Sequence, residues 1–344
     1  MSSEKILSAY CLTDTHGSVW LAPGGSVMED MPILGISSCL LGNKVRYDGQ
    51  HKYDDWLVET LGKYVSYEPV CPEAECGLGI PREAMRLVGD FTSPRLITTN
   101  SGIDHTQRML DYSRGKLEEL TKCGLCGYVF KSKSPSSGME RVKVYPPEGG
   151  AGQKKGIGIF ANEFMIAFPL LPCEEEGRLH DPDLRENFIE RIFVMHRWNK
   201  LLEGKLNPGT IISFHARHKL LLMAHSQQLY RETGKLVAEV SHLPLEDFLP
   251  KYLNLVMKAM SFPSTRSKHQ NVLQHILGYF KNDLNSSEKA EMLEIIESYK
   301  ARFLPLIVPV TLLNHYVRKY NKPYLAEQYY LNPHPMELAL RNHV

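Results

Sequence analysis

The sequence predicts an α/β layered N-terminal domain with a mostly parallel sheet, followed by an all-α helical domain. Three observations predict it. Short apolar runs rich in β-branched and aromatic residues recur in the first half, and each breaks into turn residues, as strands do. Helical stretches separate those runs. From about residue 180 the strand signals nearly vanish and apolar residues recur at helical spacing.

Taken in order, residues 1–30 hold Gly24-Gly25 and few periodic apolar positions, and read as an irregular extension. The α/β domain is expected over 31–172. Its strands are predicted at 31–36, 64–70 and 127–131, and its helices at 51–62 and 103–123, the latter capped by Asp104 or Ser101. Residues 146–158, rich in Gly, Pro and Lys, read as a loop. Gly156-Ile157-Gly158 is too fragmentary for a dinucleotide fingerprint. The helical domain is expected over 180–344. Asp181 at an N-cap and Pro182 at the first helical position start it. About six helices are predicted, at 184–202, 214–230, 245–260, 269–280, 287–302 and 305–320.

Composition narrows the function classes. The chain has 344 residues and a net charge of +1, which suits about two globular domains and argues against bulk, charge-driven nucleic-acid binding. One local exception spans 131–155, where Lys131, Lys133, Arg141, Lys143, Lys154 and Lys155 face only Glu140 and Glu148. It reads as a solvated basic loop or as an attractor for an anionic substrate. No apolar run approaches the length of roughly 18 residues that a membrane span needs, and the first 30 residues lack the pattern of a signal peptide. Seven cysteines, an odd number, are too few for a disulfide scaffold and point to a reducing, cytoplasmic setting.

The chemistry concentrates at the strand ends, where open parallel sheets gather ligands. Cys39 follows the first strand-like run, Cys71 the second, and Ser137 the third, at the place where a cysteine would complete a set. Cysteines from separate strand ends suit a soft metal or an iron–sulfur cluster. Glu73, two residues past Cys71, is a candidate general acid or base, or a plain loop carboxylate. Cys123 and Cys126 form a lone Cys-x-x-Cys pair without the second pair a zinc ribbon needs, and Cys76 is a further nearby thiol. Spacing alone does not say which of these joins Cys39 and Cys71.

The stretches 36–49, 69–82 and 127–145 resemble the family of small α/β proteins typified by bacterial thiouracil desulfurases. The stretches 214–225, 268–281, 324–328 and 333–342 resemble the YbgA-like family of unknown function, and the two families occur fused in this order. The resemblance implies a [4Fe-4S] cluster on three cysteines, with one iron open to the sulfur of a thiolated pyrimidine that water then replaces. It places the first two cluster ligands on Cys39 and Cys71. The third closes a Ser-Pro-Ser-Cys-Gly motif in the family, and here Ser134-Pro135-Ser136-Ser137-Gly138 puts Ser137 there. Three arrangements stay open: Cys126 or Cys76 supplies the third ligand, Ser137 binds as an alkoxide, or the cluster is lost. Cys126 precedes the same strand, but four residues at ~3.3 Å put it on the order of 13 Å from the far end. Cys76 lies nearer.

The expected activity is therefore [4Fe-4S]-dependent, non-redox desulfuration of a thiolated pyrimidine base, nucleoside or tRNA. Glu73 would shuttle protons, Ser134 and Ser136 would orient substrate or cluster, and Arg46, Lys131 and Lys133 would hold an anionic group. Arg46 also reads as a structural partner of Asp48. The competing expectation is a non-catalytic iron–sulfur or nucleic-acid binding module with a degenerate cluster site, which Ser137 favours. His215, His218 and His225 share one helix face. That face reads as polar packing or as a contact surface more readily than as a metal site, since no carboxylate partner is evident in the sequence.

Overall fold

The computed structural model describes residues 31–343, so the extension expected over 1–30 lies outside the described residues. The chain divides into two compact units at His180/Asp181. The first is α/β and the second all-α, as the patterning predicts.

Among the described residues, the first unit holds two four-stranded sheets. One is built from β1 (Ile33–Ser37), β2 (Ser66–Val70), β5 (Gly127–Phe130) and β8 (Cys173–Glu175), in the order β2-β1-β5-β8. Every pairing in it is parallel. The chain leaves β1 for a neighbour on one side, then returns to a neighbour on the other. The crevice between the carboxyl ends of β1 and β5 is thus the topological switch point, where such sheets bind ligands. The second sheet, of β3 (Met85–Val88), β4 (Arg95–Thr98), β6 (Val142–Tyr145) and β7 (Gln153–Gly156), mixes one parallel pairing with two antiparallel ones. The sequence reading missed it. Its strands are four residues long, and β7 falls inside the stretch 146–158 read as a loop, because three of its four residues are exposed and two are lysines.

Sequence chemistry explains the core of the first sheet. Gly35 in β1 faces Tyr128 in β5, and a β-carbon at residue 35 would lie 2.2 Å from the Tyr128 ring. The fully buried Tyr128 ring packs on Phe164 at 4.6 Å between centroids, and Phe130 meets Phe164 edge-on at 5.6 Å. Phe164 belongs to α2 (Ile159–Ala167), which follows α1 (Thr106–Thr121) in the helix order. Gly35→Ala is therefore expected to lower stability by about 1–3 kcal/mol through overpacking. Its denaturant midpoint measures this, and an unchanged midpoint would show that Tyr128 can move aside.

Local structure departs from expectation at one predicted helix of this unit and at the unit's C-terminal bound. The helix expected over 51–62 shrinks to short turns, Trp56–Thr60 and Leu61–Lys63. The N–H groups of Lys52 and Asp54 donate to the carbonyls of Cys39 and Leu40, tying that segment to the Cys39 loop. Asp54 then receives the Leu57 N–H at 3.0 Å and starts the turn. The α/β unit also runs past residue 172, since β8 completes its sheet.

The second unit holds α3 (Pro182–Glu203), α4 (Pro208–His225), α5 (Gln227–Ala238), α6 (Leu245–Ser261), α7 (Arg266–Gly278), α8 (Ser286–Lys300), α9 (Ile307–Lys319) and α10 (Pro323–Ala326). Asp181 caps α3 by accepting the N–H groups of Asp183 and Leu184, each at 3.0 Å. The single helix expected over 214–230 is two. Ser226 adopts extended backbone between them and its hydroxyl caps α5 at the Leu229 N–H, the kind of side-chain bond with which serine interrupts a helix. Among the described residues no helix is long and apolar enough to cross a membrane.

Candidate functional site

Three loops leave the carboxyl ends of β1, β2 and β5 and enclose a cavity of about 560 Å³. The β1 and β5 ends are held together directly, as the Lys131 N–H donates to the Ser37 hydroxyl at 2.9 Å. Cys39, Cys71 and Ser137 all line the cavity. Cys39 sits in the buried 3₁₀ turn Ser38–Leu41. The Cys71 thiol lies 3.6 Å from the Val45 carbonyl of the Cys39 loop. Burial, with Cys71 close by, pushes the Cys39 thiol up to about 11, and burial also raises that of Cys71. Both are thiols until a bound cation displaces their protons.

The third loop is fixed from two sides. The Gly158, Ile159 and Ala161 N–H groups at the start of α2 donate to the carbonyls of Gly138, Pro135 and Ser136. Residue 158 must be glycine for this, because a β-carbon there would sit 2.5 Å from the Ser136 backbone. From β8, Glu175 accepts the Met139 N–H at 2.9 Å, and Glu176, just past the strand, accepts the Ser132 N–H at 2.7 Å. The serines are thus held on a fixed backbone.

Glu73 connects the second loop to the third. Its Oε2 takes two bonds from Arg82, at 2.6 and 3.0 Å. Its Oε1 accepts the Ser136 hydroxyl at 2.7 Å and lies 3.4 Å from that of Ser134. The Ser136 hydroxyl is in turn 3.4 Å from the Ser137 hydroxyl. A chain of exchangeable protons therefore runs from the carboxylate to Ser137. Arg82 also donates to the carbonyls of Val45 and Gly79, each at 3.0 Å, so one guanidinium ties both cysteine loops together.

Comparison with known proteins covers both units. The family described as 2-thiouracil desulfurase matches residues 34–176, and a family of unknown function, DUF1722, matches residues 219–335. The uncharacterized protein YbgA of Escherichia coli (strain K12) is 34% identical over 158 residues, which are 46% of this chain and 94% of that protein. The chain belongs to the YbgA family. Ahead of its YbgA-like domain lies the stretch 34–176, which is similar to the 2-thiouracil desulfurase family. The chain is also similar to the uncharacterized protein YbbK of Bacillus subtilis (strain 168), with 28% identity over 30% of this chain and 71% of that protein. A solved structure, the [4Fe-4S]-dependent thiouracil desulfidase TudS, has 28% identity and a TM-score of 0.35, covering 44% of this chain and 94% of its own.

Within this desulfurase-like unit the other candidate residues separate. Cys126 lies at the wrong end of the sheet: its N–H donates to Ile33 where β1 begins, and all of β5 stands between it and Ser137. Cys76 bonds the Glu73 carbonyl at 3.4 Å. Neither is among the side chains lining the cavity. Arg46 lines it while paired with Asp48 through two contacts of 3.2 Å, so the structural reading of that pair holds. Lys131 also lines it, but its ammonium is engaged by Glu176 and by the Ser132 carbonyl. Lys133 lines the cavity and is exposed. The sequence reading gave no role to Arg82 or Glu176. The glycine-rich approach Gly77-Leu78-Gly79 to Arg82 was a signal, whereas Glu176 was hidden because β8 is three residues long.

The donor set departs by one atom from the three cysteines that the resemblance implies. Two thiols and one hydroxyl reach a common space from three loops. Among the described residues no three His, Cys, Asp or Glu side chains are grouped to hold a metal. Ser137 offers the cavity an oxygen where the family resemblance expects a third thiolate, and oxygen is a harder ligand than iron–sulfur sites favour.

The histidine face of the YbgA-like domain is interior. His215 bonds the Tyr252 hydroxyl at 3.1 Å and His218 the Phe214 carbonyl at 2.7 Å. His225 has the carboxylate partner the sequence did not reveal, Glu190 at 2.9 Å. The three residues are 8%, 1% and 1% exposed, with partners inside the helical unit, so they do not form a solvent-exposed surface. Burial holds His215 down to about 4 and pushes His218 well below the usual histidine range.

Proposed function

We propose that the desulfurase domain carries out [4Fe-4S]-dependent, non-redox desulfuration of a thiolated pyrimidine base, nucleoside or tRNA. The observation that carries this reading is the meeting of Cys39, Cys71 and Ser137 in one cavity with the Glu73–Ser136–Ser137 chain. The match of residues 34–176 to the 2-thiouracil desulfurase family supports it.

Cys39, Cys71 and Ser137 would hold the cluster. When bound, it supplies a Lewis-acidic iron for the thiocarbonyl sulfur. The remaining work falls to side chains. Glu73 accepts a proton from the attacking water through the Ser136 hydroxyl and returns it to the departing sulfur, a route that needs no direct contact between carboxylate and substrate. Arg82 holds the far carboxylate oxygen, so that Oε1 stays on Ser136. The C–S bond breaks, a C–O bond forms, and the two water protons leave with sulfur as hydrogen sulfide, so no electron donor is consumed. Lys133, with Arg46 at the wall, would meet a phosphate or ionised base.

The oxygen at residue 137 favours a second reading, a binding module that has lost turnover. Anaerobic reconstitution with iron and sulfide, followed by a screen across thiopyrimidines and thiolated tRNA, separates the two. Sulfide release supports the enzyme, and a protein that takes up no iron and releases no sulfide contradicts it. Ser137→Cys is expected to raise iron content and slow cluster decay in air, since a thiolate replaces a poor ligand. Unchanged iron content and decay would show that Ser137 does not occupy the third position.

A further inference from the structure

A second cavity, of about 630 Å³, lies wholly within the YbgA-like domain. Its inner wall is polar and buried. Glu186 and Glu190 stand one turn apart on α3, and His225 and His269 face them from α4 and α7. Arg341 donates to Glu190 at 2.8 Å and to Glu186 at 3.2 Å from behind. Glu190 is fully engaged, with His225 on its other oxygen at 2.9 Å. Glu186 is not: Arg341 takes Oε1, while Oε2 has only His343 at 3.8 Å. Burial and the neighbouring Glu190 charge push the Glu186 carboxyl well above the usual carboxylate range. His269 is 6% exposed and anchored through Nδ1 to the Tyr330 hydroxyl at 3.1 Å, which leaves Nε2 as the nitrogen available to a ligand.

The outer wall has the opposite character. Pro263, Ser264, Thr265, Arg266 and Ser267 line it at the N-terminus of the 13-residue helix α7, and Lys300 and Arg302 line it after α8. The Ser264 hydroxyl oxygen is buried without a hydrogen-bond partner. A helix N-terminus with hydroxyls and cations favours an anion, and a volume near 630 Å³ suits a small organic ligand rather than an ion alone.

We propose that this cavity binds a phosphorylated sugar or nucleotide, with its phosphate at the start of α7 against Arg266, Lys300 and Arg302, and its hydroxyl-bearing body against Glu186 and His269. This site stands on residues of the YbgA-like domain alone and does not depend on the desulfurase reading.

Calorimetric titration of the full chain with inorganic phosphate, ribose 5-phosphate and uridine 5′-monophosphate tests it. Ribose 5-phosphate or the nucleotide should bind more tightly than phosphate, and whichever is tighter identifies the body the cavity takes. Exchanging both exposed cations, Lys300→Ala with Arg302→Ala, should weaken all three by about tenfold or more. Glu186→Gln should weaken the sugar-bearing ligands and leave inorganic phosphate unchanged. No saturable binding, or binding that survives both changes, would overturn the proposal. So would loss of binding in Lys133→Ala, which would place the ligand in the other cavity.

Discussion

Cys39→Ala combined with Cys71→Ala will leave the chain without iron after anaerobic reconstitution. These are the two thiols that line the cavity at the switch point, and the two substitute candidates, Cys76 and Cys126, do not line it. Ser137 alone offers a single hard oxygen, which does not hold an iron–sulfur cluster. Iron and acid-labile sulfide per chain, with the visible absorption of the cluster, measure the effect. Each single variant should also lose most of its iron, since one thiolate and one hydroxyl remain. Full occupancy in the double variant would move the cluster elsewhere and remove the structural basis for the proposed chemistry.

Glu73→Gln should lower turnover by about 10²–10⁴-fold, the range acid–base groups supply, with the cluster retained. The substitution also removes the charge that Arg82 pairs with at 2.6 Å, and the Arg82 side chain is only 6% exposed. A fall in stability is therefore expected beside the fall in rate. Ser136→Ala separates the two effects. It breaks the hydrogen-bond chain between Glu73 and Ser137 but leaves the ion pair, so it should slow turnover with stability nearly unchanged. Undiminished turnover in both variants, with clusters intact, would take Glu73 out of the mechanism. Cluster loss in Glu73→Gln alone would make its role structural.

Strand-end chemistry was legible because a parallel sheet collects its loops at one edge. Finding two cysteines and a serine after three strand-like runs was enough to place Cys39, Cys71 and Ser137 around one cavity. The choice between substitutes for the third ligand was not legible. Strand length already put Cys126 at the far end from Ser137, but Cys76 lay nearer, and only the cavity lining shows that neither thiol reaches it. The glycines ahead of Arg82 mark a turn but do not name its partners, Glu73 and Val45, which are 9 and 37 residues away in sequence. The second sheet escaped because its strands are only four residues long and its edge strand β7 is half lysine, which leaves little apolar signal. In the helical half, capping chemistry located Asp181 correctly, while the histidine face was misjudged as lacking a carboxylate. Its partner Glu190 comes from α3, 35 residues away.

Anaerobic conversion of a thiolated pyrimidine by the reconstituted chain, without added reductant, tests the central claim most directly. The proposed hydrolysis yields one sulfide and one oxygenated pyrimidine for each substrate consumed, with oxygen from labelled water found in the product. A chain with a full cluster that releases no sulfide from any thiolated base, nucleoside or tRNA, or that does so only when electrons are supplied, would contradict it.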